Sequence, residues 1–439
     1  MTSLITFDHI VPRITSILED STALSLRPSE YPSEVWVIRD FTGRCRVLAP
    51  SEPQVPQEGV FLQKFAEALH GHLGAHAYKP DESLLPMEMS ELAKLKSEAR
   101  TIRVGRIALN LVDRLLTASD WTVFPTVQRS GKPVRFTLFS LKGGMGRSTT
   151  AAVLAQHLAR RGYNVLLVDL DLESPGLSSA LLEENERPDF GIVDWFVEDL
   201  VDQGDRVLSR MTARARWSQD LRGSIVVVPA HGRLPGEYLP KLGRVFLDRP
   251  PNDDEAPETW PSRLSRLLTA LEEQEVPDVV IVDSRSGLHD IAAAVVAHIQ
   301  AHVLLFCTDS GANWTGYRLL FDYWQAYQAI QYIRHRLSVV AALVPPDRST
   351  EYLAGFRERA WDLFRDTMYD DIPPGEPEAD AFSFDLADEQ APHAPLPIYW
   401  NPGLASLASL RDLEHSAVLP AYQQFLMGFE VLWSLLREE

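Results

Sequence analysis

Three glycines fall within four residues of the decapeptide LKGGMGRSTT at 141–150, and the stretches on either side show what such a loop must connect. Gly143, Gly144 and Gly146 let the backbone turn so that successive N–H groups aim at one anion with no Cβ in the way. Upstream, Phe136 to Ser140 is apolar enough for a buried strand. Downstream, Ser148, Thr149 and AAVLAQHLARRG carry Ala152, Val153 and Leu158 at helical spacing, with Arg160 and Arg161 in the last turn and Gly162 at the stop. An anion held by the loop would sit at a helix N-terminus, where free N–H groups and the macrodipole favour negative charge. The general phosphate-loop pattern is glycine, four residues, then Gly-Lys and Ser or Thr. Here Leu141 stands for the first glycine and Arg147 for the lysine, while a second cation, Lys142, precedes the glycine pair.

Two further apolar runs end in carboxylates. VLLVDLDLE at 165–173 carries Asp169 and Asp171, and VVIVDSRSG at 279–287 carries Asp283. A Mg²⁺–triphosphate site in a parallel sheet needs this, because ligands bind beyond the carboxyl ends of the strands and Mg²⁺ takes hard oxygen ligands. Taken singly, each aspartate reads equally well as the cap of a turn. Loop and both strands together point to a nucleoside triphosphate.

With these motifs the chain resembles the deviant Walker A P-loop ATPases of the ParA/MinD type, a SIMIBI-class group. The resemblance lies in KGGMGRST at 142–149, VDLD at 168–171 and IVDSRSG at 281–287, and it covers roughly residues 133–345. The KGGxGR form, with DLDLESPGL at 169–177, GIVDWF at 191–196, VPAHG at 228–232 and DSRSGL at 283–288, is similar to a KGGVGR-variant subgroup. The resemblance implies ATP and Mg²⁺ as cofactors and a nucleotide-dependent homodimer. It implies that Lys142 reaches the phosphates across the dimer, that Ser148 supplies the Mg²⁺ hydroxyl ligand, that Asp171 positions the attacking water, and that Asp169 and Asp283 hold the metal through its waters. Lys142, Gly143, Gly144, Met145, Gly146, Arg147, Ser148 and Thr149 are the expected nucleotide contacts, and Lys142, Arg147 and Asp171 the catalytic ones.

Arg147 is the departure that bears on turnover. A guanidinium is always charged and grips phosphate oxygens bidentately, so binding survives the exchange. It is also bulkier than an ammonium, and a small displacement of the γ-phosphate loses about a hundredfold in rate. Slow hydrolysis is expected, with a nucleotide-bound scaffold without turnover as the alternative. Arg285, in the loop after Asp283, faces the γ-phosphate, the dimer partner or a nearby acid, and the surface ion pair is the favoured reading. A tyrosine kinase of bacterial type is disfavoured, because the last residues, LLREE, contain no tyrosine.

The 439 residues hold 42 Lys and Arg against 61 Asp and Glu, a net charge of −19. Residues 1–132 are nearly balanced, with 15 basic and 16 acidic side chains, so the remaining 27 against 45 carry about −18. Non-specific DNA binding needs phosphate neutralisation by Lys and Arg, so this balance speaks against a ParA-like role in DNA partition. An unidentified protein is the expected partner. No apolar run reaches a membrane span and the N-terminus lacks a leader pattern, which points to a cytoplasmic protein. Cys45 and Cys307 read as reduced packing residues.

Two domains are expected: a small α/β or α+β domain over 1–130 and an α/β P-loop domain over 133–439 with a mostly parallel sheet flanked by helices. In the first, Glu34 to Arg39 and Arg44 to Leu48 read as a hairpin around DFTG, and Val60 to Leu73 and Ile102 to Leu116 as helices. His70, His72 and His76 invite a metal reading, but no cysteine completes a site and a solvated helix end is the better account. In the second, 183–278 reads as an insertion and 369–397 as an acidic, Pro-rich loop. A final helix, Tyr422 to Leu436, presents one apolar stripe whose polar face lacks the Lys and Arg that membrane docking requires.

Overall fold

The computed structural model describes residues 5–27, 30–51, 56–96, 98–115, 119–125, 133–216, 221–250, 257–372, 381–405, 410 and 414–438. The chain forms two compact units, Met1–Ser119 and Asp120–Glu439.

In the first unit β1 (Glu34–Arg39), β2 (Cys45–Pro50), β3 (Leu84–Met87), β4 (Ala99–Val104) and β5 (Ile107–Asp113) form one mixed sheet in the order β3-β2-β1-β5-β4. β1 and β2 pair antiparallel around Asp40–Arg44, as the DFTG turn predicts. Ile10–Glu19 and Pro56–Leu73 pack as helices, burying Ile14, Ile17, Phe61, Phe65 and Leu69 against Val35, Val37 and Leu109. The helix expected over 102–116 is instead the antiparallel pair β4–β5. Ile102, Val104, Ile107, Leu109 and Leu111 alternate as strands do. The two-residue turn Gly105–Arg106, with Gly105 at φ 58°, inserts a three-residue step that imitates helical spacing.

The histidine cluster lies at a helix end. The helix stops at Leu73, His70 bonds the carbonyl of Tyr78 through Nδ1 at 3.1 Å, and His76 faces the carbonyl of Gly43 at 3.4 Å. Among the described residues no group of three His, Cys, Asp or Glu side chains could hold a metal ion.

The second unit is built on an eight-stranded sheet of β6 (Val134–Ser140), β7 (Val165–Leu170), β8 (Ala213–Arg214), β9 (Ile225–Val228), β10 (Val279–Ser284), β11 (His302–Cys307), β12 (Leu337–Val344) and β13 (Leu396–Tyr399). Its order is β13-β12-β11-β6-β10-β7-β9-β8, and every pairing is parallel except β8 with β9. β6, β7, β10 and β11 are buried almost throughout, as strands covered by helices on both faces must be. From β6 the chain crosses to β7, and β10 later inserts between them while β11 pairs on the other side. The carboxyl end of β6 therefore lies where the direction of strand order reverses, which is where open α/β sheets bind ligands.

The stretch 183–278, read as an insertion, supplies β8, β9 and the helix Trp260–Glu275 that leads back to β10. Of the acidic loop, 373–380 lie outside the described residues, as do 251–256 and the 126–132 junction. In the rest of it Phe382 and His393 are buried and His393 bonds the Tyr369 hydroxyl, while 385–390 are exposed. Cys45 and Cys307 are buried free thiols.

The final helix, His415–Glu438, turns its stripe inward. Tyr422, Phe425, Leu426, Phe429 and Trp433 are buried, and Phe429 meets Phe136 of β6 with ring centroids 4.9 Å apart. Glu430, read as part of the polar face, pairs with Arg161 and with His157 Nε2 at 2.7 Å. Among the described residues no helix is long and apolar enough to cross a membrane.

Candidate functional site

The glycine loop leaves β6 at Ser140 and enters the helix Arg147–Arg160 at Gly146. Gly144 at φ 75° and Gly146 at φ 80° occupy the left-handed region that side chains with a Cβ avoid, so the turn depends on glycine there. No side chain caps the helix start, which leaves its first N–H groups available to a ligand. The loop is braced from below. Ser140 Oγ donates to the carbonyl of Lys142 at 2.6 Å, and the Gly287 amide donates to the carbonyl of Ser140 at 3.0 Å.

Lys142, Gly143 and Gly144 are exposed, Met145 is buried, and Ser148 and Thr149 are half-buried. Among the described residues the Lys142 ammonium makes no recorded hydrogen bond or ion pair, so one cation stands clear at the loop's entrance. Arg147 does the opposite. It is only 8 % exposed, its Nη1 donates to Ser140 Oγ, and its Nε stands 4.0 Å from Asp283 Oδ1. The guanidinium is thus buried between the carboxyl ends of β6 and β10.

The carboxylates meet at one level. Asp283 of β10 is paired in register with Asp169 of β7, and both are fully buried. Asp169 is already satisfied: Oδ2 accepts from the Ser178 amide at 3.0 Å and hydroxyl at 2.7 Å, and Oδ1 faces the Asp171 amide at 3.3 Å. The Ser148 side chain lies beside Asp283, whose Oδ1, like Arg147 Nε, has no hydrogen-bond partner among the described residues. Asp171 is half-buried and anchors the following turn by accepting the Ser174 amide at 3.2 Å.

Burial pushes the Asp283 carboxyl up to about 7, with the Asp169 charge adding to the rise and Ser148 and Arg147 opposing it. Burial likewise lifts Asp169 to about 6. For Asp283 the folded value lies above the unfolded one near 3.8, so the neutral buried form stabilises fully below about pH 4 and that stability is lost as pH rises through 7. Asp283→Asn carries a neutral amide at every pH. Without nucleotide or Mg²⁺, the variant should gain on wild type by on the order of 3–4 kcal/mol between pH 4 and pH 8. Urea midpoints across that range measure it, and a constant gap would contradict the assignment.

Arg285 pairs with Glu173, joining the loop after β10 to the loop after β7. The ion-pair reading of Arg285 therefore describes this structure. Ser140 and Ser178 were not singled out from the sequence, because a serine at a strand end or nine residues beyond an aspartate has no distinguishing pattern. Both act through neighbours that only the fold brings close.

A carboxylate oxygen with no hydrogen-bond partner among the described residues, beside a hydroxyl and below an uncapped helix start, offers hard oxygen ligands next to a place suited to an anion. Mg²⁺ fits this donor set, since it keeps most of its waters and takes one or two protein groups plus phosphate oxygens.

Residues 136–390 match the family described as the CobQ/CobB/MinD/ParA nucleotide binding domain. A putative replication protein A from Rhizobium rhizogenes is 28 % identical over 157 residues, covering 36 % of each chain. A probable plasmid-partitioning protein ParA from Thermus thermophilus is 29 % identical over 217 residues, covering 47 % of this chain and 56 % of its own. The chain thus matches between about a third and just over half the length of these relatives. Among solved structures, the pNOB8 ParA aligns with 70 % of this chain and 99 % of its own at 16 % identity and a TM-score of 0.44.

Proposed function

Because the chain belongs to the CobQ/CobB/MinD/ParA nucleotide-binding family, we propose that it is an ATP- and Mg²⁺-dependent switch, dimerising with nucleotide and hydrolysing it slowly to control a protein partner. The observation that carries this reading is the meeting of an uncapped, glycine-built helix start with Ser148 and with Asp283 Oδ1, which has no hydrogen-bond partner among the described residues. Phosphoryl transfer of this kind is positioning and charge stabilisation, for which the loop amides, Lys142 and Arg147 supply the fixed positive field.

Ser148 and Asp283 would hold Mg²⁺, which when bound neutralises charge on the phosphate oxygens. Asp169, saturated by Ser178, steadies the loop after β7 and stands behind Asp283. Asp171, half-buried on that loop, orients the attacking water. Lys142 is free to reach beyond its own subunit, whereas Arg147 acts within its own loop. A partner would be engaged or released through residues 1–119 or through the stretch 183–278.

Calorimetric titration with ATP tests the nucleotide assignment. ATP with Mg²⁺ should bind, and EDTA should weaken binding by tenfold or more in the usual range for a metal-bridged triphosphate. Failure to bind any nucleoside triphosphate would contradict it. Since two curated relatives are named for replication and plasmid partition, an arm with a non-specific DNA duplex belongs in the same series. The acidic balance of the chain argues for no retention there, and salt-sensitive retention in the ATP state would move the reading to DNA partition.

A further inference from the structure

Two motifs, GIVDWF at 191–196 and VPAHG at 228–232, have no part in the phosphate loop, yet they pack into one platform. The Ile192 amide donates to the carbonyl of Pro229 at 2.9 Å and the Val193 amide to that of Ala230 at 3.0 Å. A Cβ on Gly191 would stand 2.4 Å from the His231 backbone, and one on Gly232 would stand 2.1 Å from the Asp189 carbonyl oxygen, so both glycines are required by close approach. From this platform the chain continues as His231–Leu242 and returns over the loop after β7. Gly236, at φ 58°, turns it, and Lys241 pins it by donating to Asp194 Oδ1 at 2.6 Å and to the carbonyl of Pro235 at 3.3 Å. Asp194 is itself buried and accepts the Gly191 amide at 2.9 Å, which ties the pin to the platform.

At the centre of the strap is Tyr238. Its ring packs edge-on against His231, with centroids 5.5 Å apart, and its hydroxyl donates to the carbonyl of Leu172 at 2.5 Å. Leu172 directly follows Asp171, and the same turn closes through the Ser174 amide on Asp171 Oδ1. Burial, and the carboxylates of Asp169, Asp194 and Asp171 nearby, push the phenol well above its ordinary range, so the hydroxyl keeps its proton and remains a donor.

We propose that Tyr238 is a positioning residue: the strap 231–242, pinned by Lys241 on Asp194, holds the backbone of the Asp171 turn in place and thereby sets the aim of the Asp171 carboxylate. The proposal rests on the reading of Asp171 as the group that orients the attacking water. Tyr238 itself touches neither nucleotide nor water. Its effect passes through one carbonyl, and a loss of aim at a reacting group lowers rate more than binding.

Tyr238→Phe removes only the hydroxyl, and Lys241→Met removes only the pin. Hydrogen exchange, measured on the nucleotide-free full chain, reads the turn directly through the amides of Asp171 and Ser174. Both variants should speed exchange there by roughly five- to tenfold, the loss of one hydrogen bond, with unchanged exchange in β6 and β10. Phosphate release should fall by a similar factor in kcat with KM for ATP·Mg²⁺ unchanged. Unchanged exchange at Asp171 and Ser174 in Tyr238→Phe would overturn the proposal. If wild type releases no phosphate, the proposed turnover fails, while the exchange measurement still decides whether the strap holds the turn.

Discussion

Arg147→Ala is expected to weaken binding of ATP·Mg²⁺ by roughly one to two orders of magnitude, the range of a lost charge-assisted interaction. The guanidinium is buried, anchored on Ser140, with its Nε directed at Asp283 across 4.0 Å. It is the cation beside Asp283, and without it a triphosphate would meet that buried carboxylate with no fixed positive charge next to it. Titration calorimetry at fixed Mg²⁺ measures the loss, and an affinity equal to wild type would show that the buried cation contributes nothing to the ligand. Arg147→Lys separates charge from shape, because an ammonium keeps the charge but not the planar grip. A strong rise in phosphate release would mark the arginine as a brake. A fall would mark a site shaped around it.

Lys142→Ala should act on a different step. The side chain is exposed at the loop entrance with no recorded partner among the described residues, so its removal costs the isolated subunit little. If it reaches phosphates across a pair of subunits, its loss should abolish ATP-driven association and lower phosphate release by about a thousandfold or more, the scale known for cations supplied in trans to phosphoryl transfer. Binding of ATP to the single subunit should stay within about threefold of wild type, a difference of under 1 kcal/mol. An equal loss of binding and turnover would place Lys142 within its own loop and remove its role between subunits. The pair of variants thus separates two cations that lie five residues apart.

Much of the second unit was legible because its signals are local. The glycine loop, the apolar runs ending at Asp169 and Asp283, and the stripe of the final helix each lie within one segment, and each forms the expected element. Legibility failed where spacing was ambiguous or the partner distant. Residues 102–116 gave apolar steps of two and three, and a two-residue turn at Gly105–Arg106 is what made strands resemble a helix. Within 183–278 the apolar run at 224–229 reads as a strand, but its pairing with β7, which makes it part of the sheet, has no local signal.

The site divides in the same way. Its residue types could be read from the motifs, but the burial of Arg147 could not, because Asp283 reaches it only once β6 and β10 lie side by side. Nor could the saturation of Asp169, which depends on Ser178 folding back at the start of a short helix. Tyr238 lies 66 residues from the carbonyl it holds. No periodicity connects two such positions.

The most direct measurement is the mass of the full chain in solution by light scattering, without nucleotide and with ATP·Mg²⁺, with phosphate release followed in the same samples for wild type and Asp171→Ala. The switch account predicts that ATP doubles the mass of both proteins, that wild type releases phosphate slowly and returns to the smaller species, and that Asp171→Ala stays assembled without release. A wild-type chain that neither binds ATP nor changes mass would contradict it.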